Sequence, residues 1–281
     1  MDHRRSALLV VLTAALVVLL ARPAAAAVGP DPEIGRQWGL LDIKAPDAWP
    51  KGRGGGVSVA VVSTGIAEHP DLKVKLDAGF DATGGAPTAD TDGRGTHLAG
   101  IVAAATDNAL GIAGVAPSAR LLPYKAFESG SADDTYLKAL DRALATKPGV
   151  VLVDLPSDYT GDVGQLRAKL KALGDGGASV VVGAQDVIAA SALNDLPVLA
   201  VAATARGGSG TGAVGARGVA APGVGILSTT VKQPALPTGT PTYDYAELDG
   251  TGQAAAHVAG AVAILRGHGA NAAEAADLLR S

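Results

Sequence analysis

The chain has 281 residues, 48% of them hydrophobic, which suffices for one α/β domain of about 250 residues once a leader is removed. Its formal net charge of −4 provides no bulk attraction to nucleic acid or to an anionic membrane, so neither is expected as a partner. There is no cysteine, which excludes disulfides and thiol catalysis.

Residues 1–27 have the three parts of a signal peptide. Arg4 and Arg5 supply positive charge, residues 7–20 form an apolar core, and the alanines at 24–27 suit a signal peptidase. This predicts a secreted protein, extracellular or in the cell envelope, with no further membrane contact. The alternative is an N-terminal membrane anchor, which is disfavoured because the apolar run is shorter than the roughly 20 residues of a comfortable span.

Residues 28–36 form a short leader segment, and residues 37–281 are predicted to form a single domain. Within this domain, VSVAVV at residues 57–62 is a short apolar run typical of a strand buried on both faces of a parallel sheet. The run ends at Ser63 in the motif STGI, and HPDL follows at residues 69–72.

Strands and helices then alternate along the chain. DTDGRGTHLAG at residues 90–100 opens a helix, and residues 133–146 have the apolar spacing of an amphipathic helix. Apolar runs predict further strands at residues 120–125, 150–157, 179–186, 198–204 and 219–229. This alternation predicts a doubly wound α/β fold with its functional site at the carboxyl ends of the strands.

The last core segment, GTGQAAAHVAGAVAIL at residues 250–265, combines a tight Gly-Thr-Gly turn with a helix of small residues. Asn271 and Glu274 have the spacing of a capping box before a short final helix.

Five of these motifs, in this order, resemble those of the subtilisin-like serine peptidases, the subtilases, and the resemblance covers about residues 37–279. It implies an α/β, subtilisin-like three-layer fold with a doubly wound, mostly parallel central sheet. In the family patterns D-T-G-I, H-G-T-H and G-T-S, the aspartate, the first histidine and the serine form the catalytic triad. Ser63, Arg94 and Gly252 occupy these positions here, so no catalytic residue is intact.

Two further positions depart from the family pattern. The asparagine that donates to the oxyanion is replaced by Asp186, and the S-L-G of the strand that pairs with substrate is replaced by Asp154, Leu155 and Pro156. Proline has no N–H to donate, so peptide docking by strand addition is expected to be impaired.

These replacements remove each part that acyl transfer requires. Glycine offers no nucleophile, arginine stays protonated and cannot act as a base, and an ionised Asp186 would repel an oxyanion. We therefore expect a proteolytically inactive protein, monomeric, that acts by binding or scaffolding an unidentified protein or peptide partner. The alternative is a subtilisin-like serine endopeptidase with an unorthodox active site.

Arg94 enters the former cleft together with two new carboxylates, Asp154 and Asp186, which suggests a salt-bridged plug. The alternative is independent substitution, with Arg94 facing solvent. No metal or cofactor is expected, because Asp90 and Asp92 begin a calcium-loop pattern whose later ligands are absent.

The resemblance assigns structural positions to the three histidines of the motifs, His69, His97 and His257.

Overall fold

The structure is a computed structural model that describes residues 30–128, 134–155, 159–183, 193–208, 210–211, 218–232 and 243–281. The predicted signal peptide at residues 1–27, and the predicted site residues Pro156 and Asp186, lie outside the described residues.

The strands are β1 (Ser58–Ser63), β2 (Phe80–Asp81), β3 (Arg120–Lys125), β4 (Val150–Val153), β5 (Ser179–Gly183), β6 (Val198–Thr204), β7 (Gly210–Thr211), β8 (Val219–Pro222), β9 (Ile226–Val231) and β10 (Tyr243–Leu248). Seven strands form a parallel sheet in the order β2-β3-β1-β4-β5-β6-β8, and the two residues of β7 pair antiparallel with β6. A separate antiparallel pair is formed by β9 and β10.

The helices are α1 (Trp38–Asp42), α2 (Ala45–Ala48), α3 (Arg94–Ala103), α4 (Asp134–Thr146), α5 (Val163–Asp175), α6 (Thr251–Gly267) and α7 (Ala272–Arg280). They cover both faces of the sheet. One apolar core contains α3 and α6, and a second contains α4 and α5. The predicted subtilisin-like α/β fold with a mostly parallel central sheet is confirmed.

Successive side chains of a central strand point to opposite faces of the sheet, so one strand contributes to both cores. Val150 and Leu152 of β4 belong to the core of α3 and α6, whereas Val151 and Val153 belong to the core of α4 and α5. All four are fully buried, which explains why this strand is apolar without alternation in the sequence.

In the sheet, β1 lies between β3 on one side and β4 on the other. The strand order therefore reverses at β1: β2 and β3 lie on one side of it, and β4, β5 and β6 lie on the other. At such a reversal of strand order, α/β folds bind ligands in a crevice beyond the carboxyl ends of the strands, which here lies beside the end of β1. The start of α3 closes onto this crevice: a side chain at Gly95 would begin 2.0 Å from the carbonyl oxygen of Gly65, so no larger residue fits.

One strand prediction needs correction. The run at 150–157 was expected to be one strand, but β4 ends at Val153, and Leu155 and Tyr159 turn into the core of α4 and α5. The run at 219–229 contains β8 and the start of β9, which pair with different partners, β6 and β10. The capping box of Asn271 and Glu274 is confirmed at the start of α7.

Candidate functional site

The three predicted triad positions converge at the crevice beside β1. Ser63 is the last residue of β1, Arg94 is the first residue of α3, and Gly252 lies in the first turn of α6. Their meeting point is the side chain of Asp154, which follows β4 and is fully buried.

Two of the three positions donate to the Asp154 carboxylate, and the third has no side chain beside it. The Ser63 hydroxyl donates to Oδ2 at 2.6 Å, and Nη2 of Arg94 donates to Oδ1 at 2.8 Å. A Cβ atom built on Gly252 would stand 2.9 Å from the same Oδ1, closer than carbon and oxygen normally approach. The carboxylate therefore occupies the space into which a side chain at position 252 would extend.

The main chain of Asp154 is held from two sides. Its N–H donates to the carbonyl of Val62 at 3.1 Å, and its carbonyl accepts from the Tyr136 hydroxyl at 3.0 Å. Tyr136 lies in α4 and is fully buried. Burial, and secondarily the Asp154 charge, raises the pKa of Tyr136 well above its usual value, so it acts here as a neutral donor.

The position of Arg94 is fixed by a buried network at the start of α3. Asp90 Oδ1 accepts from the Thr64 hydroxyl and the N–H of Gly93, both at 2.9 Å, and Oδ2 accepts from the N–H of Thr96 at 2.9 Å. Burial raises the pKa of Asp90, and these hydrogen bonds oppose that rise. The first turn of α3 is thereby tied to the end of β1.

In the described part of the site, Arg94 and Asp154 form an ion pair. The Asp154 charge is the largest influence on Arg94 and raises its pKa, while partial burial acts in the opposite direction. The Arg94 side chain is 31% exposed and Asp154 is 0% exposed, so the arginine covers the carboxylate on the side of the solvent. Arg94 thus stays protonated and pairs with a buried anion.

The segment after β4 packs into the core of α4 and α5. Leu155 is 3% exposed and Tyr159 is 6% exposed, and the ring of Tyr159 meets that of Tyr136 edge-on with 5.8 Å between centroids. These two side chains are therefore unavailable to a docked peptide.

The three histidines lie elsewhere and bond to main-chain carbonyls. Nε2 of His69 and Nε2 of His97 are each 3.1 Å from carbonyl oxygens of β10, those of Asp244 and Ala246. Nδ1 of His257 is 3.0 Å from the carbonyl of Gln253. Burial lowers the pKa of each to about 4, so all three are neutral near pH 7.

A sequence profile of the subtilase family matches residues 54–279. The chain belongs to the subtilase family. It is 35% identical to thermitase from Thermoactinomyces vulgaris over 253 residues, which cover 84% of each protein. It is 33% identical over 240 residues to subtilisin Savinase from Lederbergia lenta, covering 82% of this chain and 83% of that one.

Solved structures agree on the fold of this subtilase. A protease from Pseudoalteromonas arctica superposes with a TM-score of 0.74 at 24% identity, covering 90% of this chain and 91% of the other.

Within the described residues of this subtilase, no group of three or more histidine, aspartate or glutamate side chains could hold a metal ion. Nor does any helix in that part of the chain have the length and apolar character needed to cross a bilayer.

Two of the three residues of the predicted salt-bridged plug, Arg94 and Asp154, are in contact, and the third, Asp186, is outside the described residues. Sequence reasoning missed the Ser63 contact with Asp154 and the support from Tyr136. One signal for the first was available: Asp154 ends the apolar run VVLV, where an unpaired carboxylate would be costly.

Proposed function

We propose that this protein is a secreted subtilase-fold protein without proteolytic activity, exported by residues 1–27, that acts by binding or scaffolding a protein or peptide partner. The observation that carries the proposal is the buried Asp154 carboxylate, ion-paired with Arg94 and placed where a side chain at Gly252 would project.

The proposal follows from what each residue can do in acyl transfer. Gly252 has no side chain to form a covalent intermediate. Arg94 cannot accept a proton, since its pKa is raised further by Asp154. Ser63, at the position from which the family's aspartate would orient the base, is itself a donor to Asp154. Arg94, Asp154 and Ser63 bond to one another as a structural ion pair with a supporting hydroxyl. None of the three triad positions provides a nucleophile or a base.

The second candidate is a subtilase endopeptidase with an unorthodox site. Its specific support is the 2.6 Å hydrogen bond between the Ser63 hydroxyl and a carboxylate, which pairs an alcohol with a group that could accept its proton. Against it, Ser63 is 0% exposed, so a peptide carbonyl has no approach to its oxygen. Thr251, beside Gly252, has a buried hydroxyl with no hydrogen-bond partner among the described residues, and thus no base is placed for it there.

Activity assays separate the two candidates. Purified protein is incubated with casein and, separately, with a fluorophosphonate probe, with subtilisin Savinase as the active control. We expect no turnover and no covalent label. Labelling that disappears on Ser63→Ala or on Thr251→Val would refute the proposal and identify the nucleophile.

A binding role is tested by affinity capture from culture supernatant on immobilised protein, with Arg94→Ala and Arg36→Ala as paired comparisons. Arg36 is an exposed arginine outside the crevice, paired with Glu33 and Glu247. A partner of the crevice is expected to be retained by the wild type and by Arg36→Ala and lost from Arg94→Ala. Equal retention by all three would place the binding surface elsewhere.

A further inference from the structure

The strand β10 is attached to the rest of the domain more weakly than its partner β9. None of the six residues of β10 is buried, whereas five of the six residues of β9 are. β9 is also tied to α3. The Ser228 hydroxyl donates to the carbonyl of His97 at 2.7 Å, and the Thr229 hydroxyl donates to the carbonyl of Thr96 at 2.8 Å. Since buried apolar area is the main source of stability, β10 can open at a lower cost than β9.

Besides its ladder with β9, the main chain of β10 is held by two imidazoles. Nε2 of His69 is 3.1 Å from the carbonyl oxygen of Asp244, and Nε2 of His97 is 3.1 Å from that of Ala246. Asp244 and Ala246 are two residues apart in the strand, so both carbonyls point to the same edge of β10. The two histidines therefore hold one edge of this strand together.

The side chains of β10 add three contacts. The rings of Tyr243 and Tyr245 meet that of His69 edge-on, with 5.4 and 5.0 Å between centroids. The Tyr245 hydroxyl donates to Asp71 Oδ2 at 2.9 Å. Glu247 contributes an exposed ion pair, which adds little stability.

Both imidazoles must be neutral to hold β10 in this way. Nδ1 of His69 accepts from the N–H of Asp71 at 3.1 Å, so the ring hydrogen is on Nε2 and is donated to Asp244. Nδ1 of His97 is buried and has no hydrogen-bond partner among the described residues. A second proton on Nδ1 would face an N–H group at His69 and would be unpaired at His97. A buried charge without a partner is costly.

The charged groups around His69 do not compensate for its burial. Burial lowers the pKa of His69 to about 4, although the Asp244 carbonyl and the Asp244 charge act in the opposite direction. The carboxylates of its own segment are those of Glu68 and Asp71. Asp71 already accepts three hydrogen bonds from other groups.

His97 has no carboxylate among the groups that act on it. Burial lowers its pKa to about 4, and hydrogen bonding to main-chain carbonyls opposes this. The strand β9, which packs on α3, carries no charged residue. His257 of α6 is the titratable group that interacts with His97, and two positive charges there would repel each other.

We propose that His69 and His97 form a pH-sensitive latch, which holds β10 closed at neutral pH and releases it in acid before the whole domain unfolds. When β10 moves away, the two Nε2 atoms lose their carbonyl partners and become accessible to water, and each ring can take up a proton from the solvent. β9 stays on α3. The latch is independent of the Asp154 crevice and of the function proposed for it.

Hydrogen exchange of the full-length protein, measured by NMR at pH 7, 6 and 5 and corrected for intrinsic exchange, tests the latch. The closed form binds protons on these rings only near pH 4, and the open form binds them near pH 6.5. Opening of β10 should therefore increase about tenfold for each histidine between pH 7 and pH 5. The buried amides of β1 report global unfolding and should remain better protected. Protection of β10 that does not change with pH, or that equals that of β1 at every pH, would overturn the proposal.

Variants assign the effect to the two rings. His69→Gln and His97→Gln each keep an N–H for the β10 carbonyl and remove the basic nitrogen. Each is expected to cut the pH-dependent increase about tenfold, and the double variant to abolish it. His257→Asn is the matched control, because His257 bonds to Gln253 within α6, and it should keep the full increase. An unchanged increase in the double variant would refute the latch and assign the pH dependence to Asp71.

A titration of the wild type gives the same answer without a substitution. In protein labelled with 15N in its histidines, the imidazole shifts of His69 and His97 should change over the pH range in which β10 opens. Imidazoles that stay neutral while β10 opens would contradict the proposal.

Discussion

Asp154 joins three chain positions that are distant in sequence. Ser63 and Arg94 satisfy its two oxygens, and the absence of a side chain at Gly252 leaves room for it. A buried ion pair adds little net stability compared with an apolar cluster of equal volume, because both charges must lose their hydration. Removing one partner is far more costly, because the remaining charge stays buried and unpaired.

Arg94→Ala is therefore expected to lower the free energy of unfolding by about 3 kcal/mol, since Ser63 is then the one side chain of the described residues that donates to Asp154. Urea denaturation near neutral pH measures this. Arg36→Ala serves as the matched control, because its ion pairs with Glu33 and Glu247 are exposed to solvent and contribute little. If both substitutions change the free energy of unfolding by the same small amount, the Arg94–Asp154 pair contributes no more to stability than an exposed ion pair.

Gly252→Ala tests the space beside Asp154. Alanine favours the helix by about 1 kcal/mol, but the added methyl group must displace an ion-paired carboxylate, whose disruption costs about 3–5 kcal/mol. We expect a net loss of stability, and a smaller loss when the substitution is made in an Asp154→Ala background. A double-mutant cycle on urea midpoints measures the coupling. Gly35→Ala, where nothing lies within 4 Å of the new methyl group, is the control; no coupling between residues 252 and 154 would contradict the steric argument.

The sequence was enough to assign Ser63, Arg94 and Gly252 to the triad positions, because each family motif is a short run of neighbouring residues. It could not predict that one carboxylate bonds to Ser63 and Arg94 and fills the space beside Gly252. Asp154 is 91 residues from Ser63 and 60 from Arg94, and their contact depends on how β1, β4 and α3 pack together. The sequence favoured neither the plug nor a solvent-facing Arg94, because side-chain direction at a helix start is decided by the tertiary structure.

At the scale of elements, burial on both faces made the strands recognisable but left their ends undefined. The apolar run at residues 150–153 has no alternation, so nothing in it marks where pairing stops. The start of α7 was easier to predict from the sequence than the ends of the strands, because a helix cap depends on residues that are close in sequence. Asn271 accepts from the N–H groups of Ala273 and Glu274, and the Glu274 side chain accepts from the N–H of Asn271.

Asn271→Ala is expected to destabilise α7 by about 1 kcal/mol, because two N–H donors lose their acceptor. Since α7 has Ala275 as its buried residue, the effect should appear as local opening of this helix. Hydrogen exchange measured by NMR should show faster exchange in α7 and no change in α3. Asp162→Ala, which removes the cap of α5, is the control and should accelerate exchange in α5 alone. Uniform acceleration across the chain would indicate that α7 unfolds only with the whole domain.

At the scale of the whole molecule, three buried neutral histidines make stability depend on pH. His69, His97 and His257 have pKa values lowered to about 4 by burial, against about 6.5 in the unfolded chain. Between these values the unfolded chain binds protons that the folded protein does not. Stability is therefore complete above the unfolded pKa and is lost as the pH falls toward the folded one. Asp71 and Asp90, whose pKa values burial raises, act in the opposite direction.

We expect the free energy of unfolding to fall between about pH 7 and about pH 4.5, with each histidine contributing at most about 3 kcal/mol. Urea denaturation at several pH values measures the slope. His257→Asn should reduce it, because one group with a lowered pKa is removed. A flat profile over this range would mean that the carboxyl groups balance the histidines.

The absence of space beside Gly252 also makes the effect of one substitution depend on the residue next to it. A serine placed at position 252 meets an ion-paired carboxylate, so this change is penalised while Asp154 remains. A change at Asp154 alone removes the carboxylate that pairs with Arg94, so it is penalised as well. A side chain at position 252 and the Asp154 ion pair therefore compete for the same space, and a joint change of both residues avoids the clash.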